Sequence, residues 1–133
     1  LDDTTLALPD RRGNDRIDSL RNMLRDPRVA LMMLVPGSGN ALRVNGTARL
    51  TADADFCASF AVEGKAPRTV ALITVQTIYF QCARAVLRAG LWDAHAAPDL
   101  PTPGEILASM TANEVGGAAY DREWPERAKA SMW

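Results

Sequence analysis

Pro9-Asp-Arg-Arg-Gly-Asn-Asp-Arg16, then Ile17-Asp-Ser-Leu-Arg-Asn-Met-Leu-Arg25, Asp26-Pro-Arg28 and Val29-Ala-Leu-Met-Met-Leu-Val35 follow one another without a break. Thr4 to Leu8, just ahead, reads as a short strand ended by Pro9. The order is therefore strand, basic polar loop, short amphipathic helix, buried strand. Asn14 or Asp15 is suited to cap the helix, expected over Arg16 to Arg25. Ile17, Leu20 and Leu24 repeat at helical spacing. Asp26-Pro27 stops it, because proline cannot continue a helix and restricts the residue before it. Val29 to Val35 has no polar residue, which fits a strand covered on both faces, as in a barrel wall that also meets a partner.

Moving outward, Pro36 to Asn40 is a turn cluster. Leu42, Val44, Gly46, Ala48 and Leu50 then alternate with Arg43, Asn45, Thr47 and Arg49. This is a period-two strand, antiparallel to the previous one. Gly46 in its middle points to a bulge or to close approach by another backbone. A short helix is expected within Thr51 to Phe60, a loop over Glu63 to Arg68, a long strand over Thr69 to Phe80 and a helix over Cys82 to Ala89. Thr102-Pro-Gly-Glu105 is a capping box that opens a helix to about Ala112. Val115-Gly-Gly117 breaks it, and Tyr120 to Met132 forms a last helix, reset at Pro125. The pattern is α+β with a mainly β core. Four strands do not close a barrel by themselves.

The chain has 133 residues and a net charge of −1, so nothing draws it globally to nucleic acid or membrane. Any basic patch is local. Cys57, Cys82 and His95 lack the number and spacing of a metal site. Free thiols and the lack of a long apolar run fit a cytoplasmic protein.

The basic loop offers donors around one helix start: Arg11, Arg12, Asn14, Arg16 and Ser19. Helix N-termini present unpaired amides and positive potential, and arginine adds a fork that matches phosphate. A solvated, charged loop is the plainer reading. Gln81, Cys82 and Arg84 gather donors at a second strand-to-helix junction. Arg43 and Asn45 lie on the polar face of a strand. Trp92, Trp124 and Trp133 are suited either to a planar ligand or to core and interface. No Ser-His-Asp pattern, carboxylate pair or phosphate-cradling glycine loop is present, so any difficult chemistry belongs to a bound cofactor.

Together, Leu8-Pro-Asp-Arg-Arg-Gly-Asn-Asp-Arg-Ile-Asp-Ser-Leu-Arg-Asn22, Asp26-Pro-Arg-Val29, Leu42-Arg-Val-Asn-Gly46, Tyr79-Phe-Gln-Cys-Ala-Arg-Ala85, Leu91-Trp-Asp93 and Leu100-Pro-Thr-Pro-Gly-Glu105 resemble the pyridoxamine 5'-phosphate oxidase-like, FMN-binding split β-barrel proteins. Within them, the probable FMN-dependent enzymes are most similar. The resemblance implies one split-barrel domain over residues 1–133, with a helical segment at about 102–132. It implies a homodimer with FMN at its interface and a small-molecule substrate. Asn14, Arg16 and Ser19 would meet the FMN phosphate. Arg43 would run past the flavin. Gln81, Cys82 and Arg84 would reach the cofactor from the other subunit, with Cys82 where the family carries serine. It also implies two further strands ahead of Leu1. The family's residues for pyridoxamine phosphate are not matched, so that reaction is not expected. An FMN-dependent oxidoreductase is the leading expectation. A non-catalytic binder of flavin, deazaflavin or haem is the alternative.

Overall fold

The computed structural model describes residues 1–13, 16–93 and 100–132. They form two compact units, Leu1–Asp93 and Ala94–Met132. The first unit contains β1 (Thr5–Pro9), α1 (Asp18–Arg25), β2 (Arg28–Leu34), β3 (Ala41–Thr51), α2 (Ala54–Ala58), β4 (Val70–Gln81) and α3 (Arg84–Ala89). Its four strands make one antiparallel sheet in the order β1-β4-β3-β2. The architecture is α+β as expected, but the sheet of the described residues is open. It does not close into a barrel.

The core follows from the alternation of β3 and the β-branched run of β4. Val44, Val70 and Ile73 are fully buried, with Ala41, Ala48, Ala71 and Cys57 around them. Cys57 lies on α2, whose cap Asp53 accepts from the Phe56 amide at 2.8 Å. The expected bulge and the expected close approach both occur at Gly46. Asn45 pairs with Thr77 and Gly46 with Val75, so Gln76 has no opposite residue on β3. A Cβ on Gly46 would overlap the Thr74 carbonyl oxygen and lie 3.2 Å from Ile73 Cγ2. Only glycine lets the two backbones approach this closely.

Within this one chain the apolar β2 is not covered on both faces, which leaves the expected cover to a partner. It is an edge strand, and Met32, Met33, Leu34 and Val35 are exposed. One edge of β2 has no neighbouring strand, and most of its side chains are exposed. Helix α1 begins later than expected, which is a correction. Its cap is Ile17, with no side-chain cap bond, while Asn14 and Asp15 lie outside the described residues. Leu20 and Met23 are half-buried, whereas Ile17 and Leu24 are exposed. The helix thus turns an i, i+3 pair inward rather than the Ile17-Leu20-Leu24 stripe. Asp26 then leaves it and accepts from the Arg28 side chain and amide, at 2.9 and 3.1 Å. These bonds lower its carboxyl from the ordinary 3.8 to about 2.

The second unit pairs α4 (Pro103–Met110) with α5 (Gly117–Ser131). The predicted capping box is present, with Thr102 Oγ1 accepting from the Glu105 amide at 3.1 Å and Glu105 Oε2 from the Thr102 amide at 2.8 Å. Asp121 of α5 adds a second carboxylate to the same helix start. It accepts from the Gly104 amide at 2.8 Å and from Thr102 Oγ1 at 2.6 Å. Helix α5 starts three residues earlier than expected and runs through Pro125 without a reset.

Gly46→Ala is expected to destabilise the protein by about 1–3 kcal/mol, the cost of overpacking a tight site. The shift in urea midpoint at unchanged m-value measures it.

Candidate functional site

The bulge decides which side chains share a face. Beyond it, Arg43 lies opposite Met32 on β2 and Tyr79 on β4, and Ala41 lies opposite Leu34 and Gln81. Directly paired residues point to the same side of a sheet. Arg43, Met32 and Gln81 therefore meet. Arg43 Nη1 donates to Gln81 Oε1 at 3.0 Å and contacts Met32 Sδ at 4.0 Å. Its Nε is shielded from solvent and has no hydrogen-bond partner among the described residues. A shielded, unsatisfied donor is costly and calls for an acceptor.

Beside this pair lies a cleft of about 200 Å³. Met32, Leu34 and Ala41 form its sheet side, Ala85, Val86 and Ala89 its α3 side, and Gln81, Cys82 and Leu91 complete it. The surface is apolar, with polar groups confined to the Gln81–Cys82 corner. A mostly apolar wall with a few polar groups at one corner is the make-up of a small-molecule site.

Of the residues singled out from sequence, Gln81 and Cys82 line the cleft, and Arg43 is joined to it through its hydrogen bond to Gln81 without lining it. Arg84 opens α3 but is exposed and does not line the cleft. Helix α3 has only six residues, so its start is a weak anion site. Arg16 and Ser19 are exposed at the start of α1, away from the cleft walls. Asp18, in the first turn of α1, already places a negative charge there. Asn14, His95 and Trp133 lie outside the described residues. Trp92 donates from Nε1 to the Ser38 carbonyl at 2.6 Å, while Trp124 stacks on Tyr120 within the second unit. Among the described residues no group of three His, Cys, Asp or Glu side chains is placed to hold a metal ion.

The sequence reading missed the apolar walls. Ala85 and Ala89, four apart on a short helix, were a usable signal, since small residues at that spacing leave room on one helix face.

A family model described as pyridoxamine 5'-phosphate oxidase matches residues 1–82. The chain belongs to the pyridoxamine 5'-phosphate oxidase family. The match takes in all four strands and ends at Cys82, in the polar corner of the cleft. Membership of the pyridoxamine 5'-phosphate oxidase family points to flavin binding in general. No curated protein and no solved structure matches the chain. No helix among the described residues is long and apolar enough to cross a membrane.

A double-mutant cycle of Arg43→Met and Gln81→Met is expected to give a coupling of about 0.5–1 kcal/mol, the range for a solvent-accessible charged hydrogen bond. Urea unfolding of the four proteins measures it.

Proposed function

We propose that the protein is an FMN-dependent oxidoreductase acting on a small molecule, as a homodimer with a flavin at the interface. The observation that carries this reading is the Arg43–Gln81 pair at the edge of an apolar cleft, in a chain of a family that points to flavin. A flavin ring has an apolar body and an edge of carbonyl oxygens and ring nitrogens. The residues fit that group in kind. Arg43 Nε has no hydrogen-bond partner among the described residues, and Arg43 Nη1 is bonded to the Gln81 amide oxygen. Met32, Leu34, Ala85, Val86 and Ala89 offer the apolar contact.

A bound flavin supplies hydride transfer. This chain's part is to hold, orient and polarise. The Arg43 guanidinium, bonded to Gln81, would stabilise negative charge on a flavin that reaches the Gln81 corner, as a donor fixed in place before reaction. The apolar walls keep water from the ring. Asn14, Arg16 and Ser19 are proposed for the phosphate end, and Cys82 and Arg84 for contacts at the α3 side.

The cleft is smaller than the roughly 300–1,000 Å³ of ordinary ligand sites, which supports completion by a second copy. The opposite sheet face carries an apolar row of its own, which suits contact with a second copy there rather than closure of the cleft. Met33, Leu42 and Phe80 align across β2, β3 and β4, with Ile78 beside them, and all four are exposed. The thiols of Cys57 and Cys82 are free, in keeping with a cytoplasmic protein.

One observation favours a second reading. Cys82 is the one ionisable side chain in the cleft walls among the described residues. This supports a carrier that binds flavin, deazaflavin or haem without proton transfer. Turnover with NADPH and a small acceptor, well above that of free FMN, rules the carrier out.

FMN added to the purified protein is expected to show a perturbed absorbance band and altered fluorescence. Arg16→Ala is expected to weaken binding by about 1.5–3 kcal/mol, the scale of a charged hydrogen bond. An FMN spectrum unchanged by the protein overturns the proposal.

A further inference from the structure

The α3 side of the cleft has little to hold it. The helix has six residues, none of them buried, and Leu87 is exposed. Burial of apolar surface, limited to the half-buried Ala83 and Val86, therefore does little to set its distance from the sheet. Two tethers reach it from the turn between β2 and β3. Trp92 Nε1 donates to the Ser38 carbonyl at 2.6 Å, across 54 positions of sequence. Gly39 lies so close to the start of α3 that a Cβ there would be 2.7 Å from Ala83 Cβ.

Both ends of the Trp92 bond are joined stiffly to cleft walls. On one side, Gly90 takes the left-handed conformation (φ 56°) that ends α3. The Leu91 amide then bonds to the Val86 carbonyl and the Gly90 amide to the Leu87 carbonyl, both at 3.1 Å. This closed helix end leaves no slack between α3 and Trp92. On the other side, the Ser38 amide bonds to the Val35 carbonyl at 2.9 Å, directly after the cleft residue Leu34.

We infer that Trp92 is a positioning residue that fixes the width of the cleft by clamping the end of α3 to the β2–β3 turn. The inference rests on the cleft being the ligand site, but its first test does not need the ligand.

Cys82 lines the cleft and is exposed, whereas Cys57 is 3% exposed in the core. Ellman's reagent on the folded, full chain thus reads the cleft at one thiol and global opening at the other. Trp92→Phe keeps the ring but removes the N–H donor. It is expected to raise the Cys82 rate about two- to tenfold, the range for one net hydrogen bond, with Cys57 still protected. Gly39→Ala, which pushes on Ala83, is expected to act in the same direction. FMN affinity should fall by a similar factor in Trp92→Phe. An unchanged Cys82 rate overturns the clamp. So does Cys57 reacting alongside Cys82, or Trp92→Phe failing to fold, since either makes Trp92 a support of the whole sheet. FMN binding to neither protein refutes the flavin reading, and the thiol rates then judge the clamp alone.

Discussion

The site depends on one skipped residue. Gln76 has no partner on β3, so the far half of β4 is turned over relative to the near half. In an unbroken ladder Arg43 would lie opposite Ile78, and Gln81 would point to the other side of the sheet. The bulge exchanges these faces and puts Gln81 beside Arg43. The bulge in turn sits against Gly46, where the Thr74 carbonyl fills the space of a side chain. A packing constraint in the middle of the sheet thereby decides which side chains meet at its end.

Much of the fold was legible because local rules and tertiary structure agree. The alternation of β3 marked its faces, Asp26-Pro27 stopped α1, and Thr102 with Glu105 opened α4. Gly46 even announced the irregularity. What sequence could not give was the register of β4, since nothing in Val70 to Gln81 says which residue is skipped. Without that, Arg43 and Gln81 remained two separate candidates rather than a pair. The surroundings of β2 were out of reach for a related reason. A run without polar residues reports tolerance of a dry environment, not the number of neighbouring strands.

The proposed phosphate end is a different kind of problem. Arg16 and Ser19 sit at the head of a helix that already carries Asp18, and nothing buries them. Their assignment rests on likeness to a family pattern. The Arg43–Gln81 pair rests instead on a hydrogen bond and an unsatisfied donor beside an apolar surface, which are features of the structure itself.

The outer edge of β2 has a consequence for handling the protein. Its seven positions contain one charge, Arg28 at the start, and no proline. Neither of the usual guards against strand addition interrupts Val29–Leu34. Its outward amides and carbonyls are a template for another extended chain, and the apolar side chains reward contact once it forms. This strand is one place where self-association would begin. At a net charge of −1, the molecule has almost no long-range repulsion to oppose it.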